Sequence, residues 1–125
     1  MIRSFILAFA MACSSPSQPD DLPEPEALNP AAVEGVENRA LKVLLHDHWE
    51  SVLRRSPVWA TMLGDHRYDE QLPAIGKDVD EAANAENAAF LERAKVLQKT
   101  TLSPQDQVTV SLFIEKMSNL SLIHI

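Results

Sequence analysis

AAVEGVENRALKVLLHDHWESVLRRSPVWATML, residues 31–63, is the stretch that decides the fold. Val33, Val36, Ala40 and Leu44 recur at three- and four-residue steps, and Leu41, Leu45 and Val52 run beside them. Apolar residues at that spacing fall on one side of an α-helix and leave the other side polar. Trp49 and Leu53 widen the stripe. Asn29-Pro30 offers a capping side chain and a first-turn proline, so the pattern predicts one helix over 31–55. Ser56-Pro57 repeats that signal and predicts a short second helix over 57–63, stopped by Gly64. Trp49 and Trp59 are expected to be core residues or to anchor helix against helix.

Downstream, residues 65–77 are polar and contain Pro73 and Gly76, which predicts a loop. A third helix is expected over 78–99, with Val79, Ala82 or Ala83, Glu86, Phe90, Ala94 and Leu97 on one stripe. Acids gather at its start and bases near its end, as the helix dipole favours. Ser103-Pro104-Gln105-Asp106 opens a fourth helix with a capping serine, a proline in the first turn and an acid at the third position. Val110, Phe113, Ile114 and Met117 form its face. No alternating run is long enough for a sheet, so the expected fold is all-α: a partial bundle of about four helices.

Upstream, residues 1–12 read as a signal peptide, MIRSFILAFAMA, with Arg3 ahead of an apolar run and small residues before Cys13. Ala10-Met11-Ala12-Cys13 resembles a bacterial lipobox, in which a peptidase cuts before the cysteine and a diacylglycerol joins its sulfur. Ala12 fits that pattern, and Ala10 stands where leucine is usual. Cys13 is the predicted lipidation site; an ordinary secretory signal ending beside a cysteine is the plainer reading. The sole cysteine has no internal disulfide partner. Residues 13–29 carry four prolines with Asp20, Asp21, Glu24 and Glu26, a composition that predicts an extended, solvated tether. At about 3.1 Å per residue it spans about 50 Å, enough to hold a domain clear of a membrane. Ser14 is not the aspartate that marks inner-membrane retention, so the expected address is the cell envelope, on an outer membrane facing the periplasm.

The net charge of −7 argues against nucleic-acid binding, because an acidic chain cannot neutralise phosphates. No stretch approaches the roughly 18 continuous apolar residues of a membrane-spanning helix. Residues 30–119 are left as the helical part. The last six residues, LSLIHI (120–125), match the translation of a transposon-end adapter used in sequencing libraries, CTG TCT CTT ATA CAC ATC. The expectation is that genuine coding sequence is interrupted near Asn119.

Two clusters carry the side chains of chemistry. His46 and Glu50 are four apart and share a helix face, whereas His48 points elsewhere. Two ligands do not make a zinc site, which needs three or four converging groups, so hydrogen bonding at the surface or between helices is the favoured role. Asp65-His66-Arg67-Tyr68-Asp69 has the residue types of acid–base work, but charged loop residues are usually solvated or paired. No Gly-x-Ser-x-Gly, phosphate-cradling glycine loop or His-Glu-x-x-His occurs.

LLHDHWESVLRRSPVWATMLGDHRYDEQLP, residues 44–73, resembles the opening of the bacterial domain-of-unknown-function family 885 (DUF 885). The matching positions include Trp49, Pro57, Ala60, Thr61 and Leu63, then Gly64, Asp65, His66, Arg67, Tyr68 and Asp69, then Leu72 and Pro73. Leu102-Ser103-Pro104-Gln105-Asp106 is similar to the family's Leu-Ser-Pro-Glu-Asp helix start, with Gln105 in place of glutamate. The resemblance covers about residues 40–119. It implies an exported, mostly helical, zincin-like protein of several hundred residues that hydrolyses amides of peptide substrates. Its zinc would sit on a downstream His-Glu-x-x-Pro-Gly-His-type helix, which this chain does not contain. No catalytic or metal-binding residue carries over, and Gly64 to Asp69 are a signature without an assigned role. The expectation is a truncated, inactive N-terminal segment of such a protein. The rival is a complete small helical lipoprotein that binds or braces something in the envelope. A third reading, a small enzyme built on the His46 and His66 regions, requires bound metal.

Overall fold

A computed structural model describes residues 28–123, with side chains through 120. It contains α1 (Pro30–Val33), α2 (Arg39–Arg55), α3 (Pro57–Met62), a single 3-10 turn (His66–Tyr68), α4 (Lys77–Gln98) and α5 (Pro104–Ile123). No strand occurs among the described residues, and the fold is all-α. Cys13, the expected signal peptide and most of the expected tether lie outside them, as do His124 and Ile125.

The single helix expected over 31–55 is two. Gly35 takes φ +74°, a left-handed conformation that other residues rarely adopt, and turns the chain out of α1. Asn38 then caps α2 by accepting from the Leu41 amide at 3.1 Å, while Asn29 caps α1 by accepting from Ala31 at 3.0 Å. The apolar spacing runs through this break because Val36 packs into the core from the turn itself. Four expected helices become five.

The remaining expected helix ends fall within one or two residues of the observed ones. Ser103 caps α5 as expected, with Oγ accepting from the Asp106 amide at 3.2 Å. The helix continues through Ile123, past Asn119. Packing begins before the first helix, since Leu28, assigned from sequence to the tether, is buried.

Leu41 and Leu44 of α2, Phe90 and Ala94 of α4, and Val110, Phe113 and Met117 of α5 form one core with Val36. Each fully buried leucine contributes about 2 kcal/mol relative to exposure. No buried side-chain nitrogen or oxygen among the described residues lacks a hydrogen-bond partner. α3 lies outside this core. Pro57 and Ala60 are buried, but Val58, Trp59, Met62 and Leu63 are exposed. Trp59 therefore does not anchor helix against helix: α3 is short, and only one side of it meets α2 and the 3-10 turn. Among the described residues, no helix is long and apolar enough to cross a membrane.

Candidate functional site

The residues from Gly64 to Asp69 form a tight, self-tied turn. Gly64 ends α3 with φ +86°, and its amide donates to the Thr61 carbonyl at 2.9 Å. The Asp65 amide returns to the Ala60 carbonyl at 2.9 Å. Asp65 then caps the 3-10 turn, its Oδ1 accepting from the Arg67 amide at 3.1 Å. Left-handed glycine followed by a capping aspartate is what lets the chain reverse here and start a new turn within two residues.

Arg67 is the centre of the arrangement. Its Nε and Nη2 donate to Asp65 at 2.9 and 2.6 Å, and its Nη1 and Nη2 reach Glu50 on α2 at 2.9 and 3.1 Å. A planar guanidinium can hold two carboxylates this way because its donors are fixed in a fork. The Arg67 contact holds the Glu50 carboxyl below its usual range, helped by a bond from Asn29, and the same guanidinium lowers Asp65. In return Asp65 and Glu50 push the arginine's own pKa up. Arg67 also lies over the Tyr68 ring, 5.4 Å from its centroid.

Asp69 closes the turn on the other side. Thr61 Oγ1 donates to Asp69 Oδ1 at 2.6 Å, and His66 Nδ1 lies 2.7 Å from Oδ2. Those two partners, the threonine first, lower the Asp69 carboxyl.

His46 and Glu50 do share a face of α2, but not around a metal. His46 Nδ1 accepts from the Asn29 amide at 2.9 Å, so its proton sits on Nε2. The Asn29 amide side chain reaches Glu50 at 3.5 Å, and Arg67 takes the rest of that carboxylate. His46, Asn29, Glu50, Arg67 and Asp65 are thus one hydrogen-bonded chain from α1 to the 3-10 turn. Asn29, His46, Glu50 and Arg67 line a shallow recess of about 400 Å³ beside Leu28 and Pro30. Among the described residues no group of three His, Cys, Asp or Glu converges as metal ligands would. The zinc that the family resemblance implies is expected on a downstream helix, not on these residues.

His48 is a separate case. It is buried, edge-on to Phe90 at 5.5 Å and to Phe113 at 5.1 Å. Burial, then the charges of Lys116 and Arg55, lower its pKa to about 4. The imidazole is therefore neutral near pH 7, and it packs chiefly as an aromatic core residue.

Three further partnerships have no counterpart in the sequence reading. Asp106 accepts from the amides of Glu37 at 3.1 Å and Asn38 at 2.7 Å. Glu86, read only as a stripe position, accepts from Ser51 Oγ at 2.7 Å and Arg54 at 3.0 Å. Asn29 links His46 to Glu50. An acid at an otherwise apolar stripe position was the available signal for Glu86. Asp106 gave none, because an acid in a first turn already has a local explanation.

No protein-family model, curated protein or solved structure matches the chain.

Proposed function

We propose that this chain is the N-terminal helical segment of an exported, lipid-anchored protein resembling the DUF 885 zinc-dependent peptidases, and that it contributes architecture rather than catalysis. The observation that carries this reading is the exposed apolar stripe of α3. Val58 and Met62, and Trp59 and Leu63, are four residues apart and side by side, and all four are exposed. Leu72 and Ile75 follow on the loop at 88% and 95% exposure. An apolar surface of this kind marks a face that another body covers. It adjoins the turn that Arg67 ties to Glu50 of α2. In this reading the covering body is the catalytic half of the longer protein, where zinc would activate water against a peptide bond. The lipid on Cys13 would tie the whole to the envelope membrane.

The test is the gene itself, read from intact genomic DNA through and beyond codon 119. A frame continuing for several hundred codons through a His-Glu-x-x-x-x-His-like helix supports the segment reading. The longer product should then hold stoichiometric zinc and cleave peptides. A stop directly after codon 125 ends it.

One observation favours the rival, a complete small helical lipoprotein. The core brings α2, α4 and α5 together, and Asp106 ties α5 to the start of α2 across 68 residues of chain. Such ties are those of a unit able to fold by itself. A sharp, cooperative melt of the soluble part favours the rival; aggregation through α3 favours the segment.

A further inference from the structure

α2, α4, the C-terminal half of α5 and the 71–74 segment enclose a groove of about 520 Å³ on the side of the molecule bearing Arg55, Lys116 and His48. We propose that this groove binds a small ligand with a terminal carboxylate on an aliphatic body. The proposal stands apart from the reading of the chain as a peptidase segment and does not depend on it.

The charge in the groove runs against the charge of the molecule. The chain carries −7 overall, yet Arg54, Arg55 and Lys116 line the groove with Asp80 as the lining acid. Glu86, which pairs with Arg54 at 3.0 Å and Arg55 at 3.7 Å, is the other nearby acid. Three cations against two acids leave one positive charge. Among the described residues no carboxylate pairs with Lys116, whereas Glu86 engages both arginines. The same positive field is felt at the floor, where Lys116 and Arg55 help keep His48 neutral.

The cationic end is already partly organised. Arg55 donates from Nε to the Ser51 carbonyl at 3.3 Å and from Nη2 to Asn87 Oδ1 at 3.3 Å. These bonds hold the guanidinium plane in place and leave its remaining donors for a ligand. Away from the charges, Val52, Val79 and Ala83 supply an apolar wall. A mixed groove of this size, with a few placed polar groups and apolar walls, is the usual make-up of a small-ligand site. An anion seated on Lys116 would place its aliphatic part on that wall, and a neutral imidazole beneath it adds no second charge to attract a dianion.

Two sources present this chemistry: the C-terminus of a peptide ending in an aliphatic residue, and a free short aliphatic acid. The test titrates the full chain with N-acetyl-alanyl-leucine and with hexanoate, each beside its amide, following amide shifts of α2 and α4 by NMR. The expected result is saturable binding of a carboxylate, at least tenfold weaker binding of its amide, and about tenfold weakening in Lys116→Gln. Lys116 is exposed, so that variant keeps the fold. Lys95→Gln, on a residue outside the groove that pairs with Glu92, should change nothing. Binding of the peptide alone assigns the C-terminus as source, and binding of hexanoate alone assigns the free acid. No saturable binding of either carboxylate, equal binding of the amides, or a Lys116→Gln protein that binds as before overturns the proposal.

Discussion

The carboxylate of Asp106 caps a helix to which it does not belong: its Oδ2 accepts from the backbone amide of Asn38, 2.7 Å away and 68 residues earlier in the chain. Oδ1 takes the neighbouring Glu37 amide at 3.1 Å. The first amides of any helix have no partner within it. Here a buried side chain on the first turn of α5 takes the amide of the capping residue Asn38 and that of Glu37 just before it, Asn38 itself serves Leu41 inside α2, and the Asp106 amide is held by Ser103. One residue thereby sets where two helices begin and how they meet.

Asp106→Ala should therefore cost about 3 kcal/mol, since it strands two amides and removes charge-assisted bonds. Asp106→Asn, which keeps one acceptor, should lose less. Urea unfolding at pH 7 reads both. A loss below about 0.5 kcal/mol in the alanine variant would show that the amides find water instead.

Arg67 and Glu50 should be measurably coupled. Arg67 is about half exposed, so the pair is worth only about 0.5–1 kcal/mol despite its good geometry. A double-mutant cycle with Glu50→Gln and Arg67→Gln should return a coupling of that size. The Arg67→Gln variant should also raise the carboxyl titrations of Glu50 and Asp65 in an NMR pH series. Because both carboxyls titrate low in the folded state, their contribution holds above the unfolded carboxylate range and fades as pH falls through the folded values. Unchanged titrations would remove Arg67 from the centre of the turn.

His48 makes stability fall in mild acid. Folded His48 titrates near pH 4, against 6.5 for the unstructured residue. Above pH 6.5 both states are neutral, and the full stability contribution is present. Between 6.5 and 4 the unfolded chain takes the proton first, so stability drops by up to about 3 kcal/mol. Lys116 and Arg55 deepen this effect and Glu86 opposes it. His48→Leu should flatten the stability profile over that interval. A profile equally steep in the variant would place the acid sensitivity elsewhere.

Gly35→Ala should cost about 1 kcal/mol although nothing lies within 4 Å of the added methyl. The penalty comes from φ +74° alone, which a side chain disfavours. Thermal unfolding tests it. A neutral or stabilising result would indicate that α1 and α2 can join into one continuous helix.

Residues 104–117 were legible because their apolar spacing and cap agree, and residues 39–55 from their apolar spacing alone. Leu41, Leu44, Val110, Phe113 and Met117 fall where a helical stripe puts them, and all are buried. The break at Gly35 was not legible from spacing, because Val36 continues the apolar rhythm while the backbone leaves the helix. Trp59 was misplaced for the opposite reason. Its size predicts burial, but burial needs a partner surface, and the described residues leave most of α3 uncovered. In the candidate site, pairing of the charged residues 65–69 was legible, but the cap that Asp65 makes was not. Nor were the particular partners of Arg67 and His46.

The sequence by itself determined local matters: most of the helical segments, where Ser103 and Asn29 begin two of them, and that the chain is acidic and all-α. These depend on neighbours three or four residues away, so a linear reading reaches them. Tertiary structure alone decided that Arg67 bridges Asp65 to Glu50, that Asp106 caps α2, that His48 sits neutral between two phenylalanines, and that cations gather around a groove in an acidic protein. Each is a meeting of residues far apart in the chain, and hydrogen bonds and charges act over a few ångströms of space whatever the separation in sequence.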